Sequence, residues 1–232
     1  MDHPDSRSAP DTSGHQTLGT ESLKNVDPIA VLQGCLQEAQ KTEVWATAVC
    51  LATASHDGKP SNRMMMLREV SHNGLYFATS MDSRKARDLA ESPYAAMATF
   101  WPSTHKQWRA EGRVMLEETT TADRYFAESP RQEQILVWAS RDGHTQTPHE
   151  LATDVDSYNR EFAGINIPRP SKWRVFRVVP EAFEFWEADS VDWKHRCIRY
   201  EVDPKDGSWV RVGVLFGYWR FAKRRTRWQS CE

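Results

Sequence analysis

Residues 45–80 read WATAVCLATASHDGKPSNRMMMLREVSHNGLYFATS, three short apolar or alternating runs separated by turn signals. Asp57-Gly58 and Asn73-Gly74 suit hairpin turns whose residues adopt positive φ, so the runs at 45–55, 61–70 and 75–80 are expected to form an antiparallel meander. The same texture continues outward. Ser83 is a helix cap for the short helix RKARDLAES, after which YAAMATFW (94–101) and HKQWRAEGRVMLEE (105–118) return to strand. Three segments between roughly 121 and 164 (TADRYFAES, PRQEQILVWAS and PHELATDVDSYNREFAG) carry apolar residues at helical spacing. Beyond the Pro168-Arg169-Pro170 break, KWRVFRVVP (172–180), EAFEFWEA (181–188), KHRCIRYEV (194–202) and SWVRVGVLF (208–216) predict four more strands, with DPKDG (203–207) as a hairpin turn. Strands outnumber helices and no βαβ rhythm occurs. The pattern predicts a mainly β protein with α, an antiparallel barrel decorated with helices.

Asp27-Pro28 is a helix start, a carboxylate cap before proline, and Ile29, Leu32, Leu36 and Ala39 recur on one face to about residue 41. Residues 1–24 hold almost no large apolar side chain and are expected to form a disordered arm, because they cannot repay their ordering entropy. Residues 25–218 then form one domain, with no internal repeat. Residues 219–232 form a basic tail in which Arg220, Lys223, Arg224, Arg225 and Arg227 are expected to be solvated.

The chain has 232 residues and a formal net charge of −2, so no global field drives it toward nucleic acid or an anionic membrane. No apolar run approaches a bilayer-spanning length, and the start lacks the basic and apolar regions of a signal peptide, so a cytoplasmic protein is expected. Its four cysteines are scattered without zinc-ligand spacing, and its eight histidines do not cluster with carboxylates, so no metal is expected. Ten tryptophans fit a Trp-rich core or a ring-binding site; packing is the better reading for Trp45, Trp138 and Trp209.

Gly-rich phosphate loops, Gly-x-Ser-x-Gly elbows and His-Glu-x-x-His motifs are missing from the sequence. More informative are basic residues at strand ends: Arg63, and the Ser83-Arg84-Lys85 triplet at a helix start. A helix amino terminus with a hydroxyl and two cations suits a phosphate, since free backbone N–H groups converge there.

SNRMMMLREV, GLYFATSMDSRKARDLAESPYAAMATFW, KQWRAEGRVMLEE, DRYFAESPRQEQILVWAS, INIPRPSKW and EAFEFWEA, in this order and spacing, resemble the pyridoxine (pyridoxamine) 5′-phosphate oxidase family, and within it the phenazine-biosynthesis flavin oxidases. The resemblance spans about residues 26–212. It implies a split β-barrel homodimer with FMN at the subunit interface. By position, Arg63 with the strand Met64, Met65, Met66 and Leu67 matches the stretch that holds the flavin. Thr79, Arg84 and Lys85 match its phosphate-side groups, Gln107 the glutamine near the ring, and Trp186 and Arg196 a tryptophan and its arginine partner. The Gln-Ser pair of the family reads Asp142-Gly143 here.

The substrate side departs from the family. Its phosphate grip uses a lysine where this chain has Arg68, a tyrosine kept as Tyr125, an arginine where Ser129 stands, and a serine where Glu133 stands. The Arg-Leu-His-Asp-Arg signature aligns to Asp192-Trp193-Lys194-His195-Arg196, so only the last arginine survives. A one-residue shift would restore His195 to the histidine position but disturb the spacing from Trp186 to Arg196. These exchanges make that part of the pocket more negative, and a phosphate dianion should bind poorly, each lost charge-assisted contact being worth roughly 1.5–3 kcal/mol. The expected activity is an FMN-dependent oxidation of a small cyclic or amine-bearing molecule in specialised metabolism, with dioxygen as acceptor. Glu133 and Asp192 are expected to contact the substrate, Tyr125 and Lys194 to shape the pocket, and Trp193 to stack on a flat ring. The rival readings are the parent pyridoxine/pyridoxamine 5′-phosphate oxidation and a non-catalytic flavin-binding protein.

Overall fold

The computed structural model describes residues 26–141, 144–188 and 194–218, residues 194 and 215–218 by backbone alone. The expected disordered arm (1–24), the basic tail (219–232), Asp142, Gly143, Asp192 and Trp193 lie outside the described residues. Eight strands occur among them: β1 Ala48–Ala54, β2 Pro60–Ser71, β3 Gly74–Ser80, β4 Tyr94–Trp101, β5 Lys106–Leu116, β6 Trp173–Ala188, β7 Lys194–Val202 and β8 Trp209–Tyr218. The helices are α1 Pro28–Ala39, α2 Arg84–Glu91, α3 Thr119–Glu128, α4 Arg131–Ala139 and α5 Pro148–Glu161. All neighbouring strands are antiparallel in the order β3-β2-β1-β4-β5-β6-β7-β8, and β3 also pairs β6. That extra pairing closes β1–β6 into a six-stranded barrel, from which β7 and β8 run on as an extension.

β6 is where the barrel opens out. Its first part pairs β3 up to Val178, its second pairs β7 from Ala182, and β5 accompanies it through both. The two strands expected at 172–188 are therefore one, and the carboxyl-terminal half holds three strands rather than four. Pro180 sits between the β3 and β7 ladders, where its missing N–H costs neither of them a bond, and the β5–β6 register shifts beside it. Gly112, opposite Pro180, permits the closest approach of the two strands: a Cβ there would lie 2.1 Å from the Val179 carbonyl oxygen.

Gly58 and Gly74 take positive φ, 79° and 139°, as expected, but Asp57 and Asn73 before them do not, so neither turn has two positive-φ residues. Asp27 caps α1 by accepting from the Ile29 amide at 2.9 Å, and the helix buries Ile29 and Leu32 against the barrel interior. That interior is filled by residues such as Leu51, Phe77, Met97, Trp108 and Phe183. A second apolar cluster lies outside the barrel, where Tyr76, Trp173 and Val175 meet Tyr125 and Phe126 of α3, Ile135 of α4, and Phe162 just beyond α5. This explains why GLYFATS reads as almost continuously apolar: β3 has the barrel on one side and the helical layer on the other. Of the tryptophans expected to pack, Trp138 and Trp209 are partly buried, whereas Trp45 is 70% exposed in the α1–β1 connection. No helix among the described residues is long and apolar enough to cross a membrane.

Candidate active site

The hydrophobic alternation of β1 places Thr53 on the inner face of the barrel, and the α2 sequence RKARDLAE places Asp88 beside the buried Ala86 and Leu89. Both are buried, and Thr53 donates its hydroxyl proton to Asp88 Oδ2 at 2.7 Å. Arg63 joins them from β2, donating to Thr53 Oγ1 at 2.8 Å, Ser61 Oγ at 2.9 Å and the Leu51 carbonyl at 3.2 Å, with Nη2 3.9 Å from Asp88 Oδ2. Arg84, one turn before Asp88 on α2, brings Nε to 3.8 Å from the same oxygen. One carboxylate thus gathers two guanidiniums at the start of α2. Burial holds the Arg63 pKa below the ordinary arginine value, while Asp88 opposes that shift.

Beside this cluster Lys85 donates to Thr79 Oγ1 at 2.9 Å, and the Thr79 and Ser83 hydroxyls lie 3.3 Å apart. Ser83 caps α2 by accepting from the Ala86 amide. Cations and hydroxyls in this arrangement, at a helix amino terminus, are the donor set that a phosphate dianion requires. Asp88 and Thr53 were not legible as site residues. Their only trace in the sequence is the Arg84/Asp88 spacing on one helix face.

A cleft of about 910 Å3 opens from this end. Met64, Met65, Met66, Leu67 and Arg68 of β2 line it with Thr79 and Lys85, and Leu136 and Trp138 of α4, Lys172 and Trp173 face them. At its α4 side Arg68 donates to Glu133 Oε2 at 3.0 Å and to Ser129 Oγ at 3.2 Å, and its guanidinium carbon lies 5.9 Å from the Trp173 ring centroid. The structure therefore joins three of the residues singled out for the substrate side. Tyr125 points elsewhere: its hydroxyl donates to Glu69 and its ring lies under Arg124, 4.2 Å from the guanidinium carbon. Burial, then Glu69, pushes the Tyr125 phenol pKa up, so it stays protonated.

Gln107, Trp186 and Arg196 form a separate group. Gln107 and Trp186 are cross-strand partners on β5 and β6, and Arg196 of β7 sits opposite Glu187 and ion-pairs with it. The Trp186 ring stacks at 5.8 Å on His195 and meets Phe100 edge-on at 6.3 Å. These three residues line a small cavity of about 20 Å3, which has no lining residue in common with the large cleft. Lys194, at the start of β7, is described by its backbone pairing with Tyr218.

A closed antiparallel barrel with a phosphate-type donor set at one helix start defines the class of flavin-dependent split-barrel oxidoreductases. The family described as pyridoxamine 5'-phosphate oxidase matches residues 36–186, and the chain belongs to it. A pyridoxine/pyridoxamine 5'-phosphate oxidase of Psychromonas ingrahamii is 35% identical over 83% of this chain and 89% of its own length. One from Xanthomonas axonopodis pv. citri is 39% identical over 76% of this chain and 91% of its own. Among solved structures, PhzG from Burkholderia lata in complex with tetrahydrophenazine-1-carboxylic acid superposes with a TM-score of 0.75 at 27% identity, covering 84% of this chain and 94% of that one. A pyridoxamine 5'-phosphate oxidase-related, FMN-binding protein of Nostoc punctiforme shares the fold, with a TM-score of 0.68 at 16% identity over 82% of this chain and 98% of that one.

Proposed function

We propose that this protein is an FMN-dependent oxidase that dehydrogenates a small cyclic or amine-bearing molecule and passes the electrons to dioxygen, in a specialised metabolic pathway. The observation that carries the reading is the polarity of the large cleft. Its α2 end sets Lys85, Arg63 and Arg84 around the single carboxylate of Asp88, beside Thr79, whereas toward α4 Arg68 is matched one for one by Glu133 and Arg141 by Asp154. The donor set fits one phosphate, that of FMN, at the α2 end. Lys85 and Arg84 hold it, and Asp88 fixes Arg63 and Arg84 in place. The strand Met64–Leu67 offers the flavin ring an apolar edge. FMN, when bound, supplies the hydride acceptor and hands the electron pair to dioxygen, giving hydrogen peroxide. The likeness to PhzG supports a ring substrate without a phosphate.

Gln107, Trp186 and Arg196 belong to the flavin site through a second copy of the chain. Met64, Cys50, Ala98 and Arg109 are successive cross-strand partners, so about 14 Å, three strand spacings, separates the β2 wall from the β5 group that includes Gln107. The strip between them carries small residues, Ala48, Cys50, Ala52, Ala96 and Ala98, flanked by exposed Met64, Met66 and Phe100. Such a flat apolar strip suits an isologous dimer contact, with the cation Arg196 brought in from the partner to the reduced flavin.

A second reading, pyridoxine/pyridoxamine 5′-phosphate oxidase activity, is favoured by the names of the curated relatives. The visible spectrum of the purified protein, followed by anaerobic mixing with candidate substrates, separates the readings. Flavin bands bleached by a phosphate-free ring compound but not by pyridoxamine 5′-phosphate support the first. Rapid bleaching and turnover with pyridoxamine 5′-phosphate establishes the second.

A further inference from the structure

Among the described residues, the arginines and lysine that line the large cleft besides Lys85 are each engaged by a carboxylate of the chain itself. Arg68 is bound to Glu133, Arg141 holds Asp154 with Nη2 at 2.8 Å, and Lys172 is paired with Asp82. A dianion entering this part of the cleft meets cations whose charge is already offset by these carboxylates. Of these three pairs, only Arg68–Glu133 leaves the carboxylate more exposed than its cation. Arg68 is only 26% exposed and divides its Nη1 between Glu133 and Ser129, whereas the Glu133 side chain is 47% exposed beside the cleft. Trp138 and the buried Trp173, whose ring already lies under the Arg68 guanidinium, give the same part of the cleft aromatic walls. The seat therefore combines a partly solvated carboxylate with apolar and aromatic walls.

We propose that Glu133 is the specificity-determining residue of this cleft, selecting a ring substrate that presents a cationic, hydrogen-bond-donating nitrogen toward α4 and rejecting one that presents a phosphate there. The proposal rests on the flavin reading above and adds to it the chemical class of the substrate's head group. A positively charged nitrogen can share the exposed Glu133 carboxylate with Arg68. A phosphate approaching Arg68 is repelled by the more exposed Glu133 carboxylate beside it.

Benzamidine and phenyl phosphate probe the seat directly, being ring compounds of similar size with opposite head groups and neither able to reduce a flavin. Their dissociation constants are measured by calorimetry on flavin-loaded wild type and on the variants Glu133→Gln and Glu133→Asp. Wild type is expected to bind benzamidine at least about tenfold more tightly than phenyl phosphate, and Glu133→Gln to weaken benzamidine and strengthen phenyl phosphate by about tenfold each. Glu133→Asp, which keeps the charge, should retain the wild-type preference. Flavin-loaded protein in which Glu133→Gln leaves the ratio of the two constants unchanged overturns the proposal while the flavin reading stands. Protein that shows no flavin bands and takes up no FMN overturns the reading beneath it.

Discussion

Arg63 and Asp88 face each other across the mouth of the barrel, the guanidinium Nη2 3.9 Å from the carboxylate Oδ2, with the Thr53 hydroxyl bonded to both. A residue of β2, one of β1 and one of α2 are thereby fixed relative to one another. The helix whose first turn carries Arg84 and Lys85 is oriented by this buried carboxylate.

Replacing Asp88 by Ala leaves the Thr53 hydroxyl without its acceptor and Arg63 without its ion-pair partner. Removal of one partner from a buried hydrogen-bonded group costs about 1–3 kcal/mol, and urea unfolding of Asp88→Ala is expected to show a loss of that size. FMN affinity is expected to fall with it, since both guanidiniums lose their anchor.

The double variant Arg84→Ala, Lys85→Ala removes the cations at the helix start and leaves the ring-facing strand intact. FMN affinity should drop about 100-fold or more, from two lost contacts of roughly 1.5–3 kcal/mol each, while riboflavin, which has no phosphate, should bind as it does to wild type. Equal losses for the two flavins would place the phosphate elsewhere.

Gly112→Ala tests the strand crossing that shapes the barrel. The added Cβ would lie 2.1 Å from the Val179 carbonyl oxygen and 2.8 Å from Pro180 Cα, both backbone atoms that cannot swing aside. Overpacking of this kind costs typically 1–3 kcal/mol and occasionally more, and the denaturation midpoint should fall accordingly.

Much of this architecture was legible in the sequence, and the parts that were not have a common cause. Alternation and the turn glycines at 58 and 74 revealed the meander because each is a local property of the chain. The passage of β6 through Pro180 was hidden because it depends on β3 ending and β7 beginning on the same edge, a property of the closed sheet. Trp45 was expected to be buried because large aromatics bury area, yet the α1–β1 connection leaves it outside. In the candidate site, Arg63, Arg84 and Lys85 stood out by charge and position, and Thr79 by the family resemblance alone. Asp88 did not, since a carboxylate one turn beyond an arginine looks like an ordinary surface pair until the fold buries it.

The Cys197 thiol gives a pH-dependent check on the outer face of the β6–β7 extension. Burial, reinforced by the neighbouring Glu184, pushes its pKa up to about 11. Alkylation requires the thiolate, so Cys197 should be less than about 1% reactive at pH 8.5 and become labelled as the pH approaches 11. Peptide mapping of iodoacetamide-treated native protein reads this directly.

The proposed flavin site shared by two chains is tested most directly by complementation between two broken chains. Co-expression of the Arg84→Ala, Lys85→Ala chain with a Trp186→Ala chain yields mixed dimers in which one site carries both defects and the other carries none. A site built from two copies predicts that about one quarter of the wild-type FMN sites return, although each variant alone binds FMN weakly. Recovery of no FMN binding in demonstrated mixed dimers would contradict it, and would put both groups of residues in a site made by a single chain.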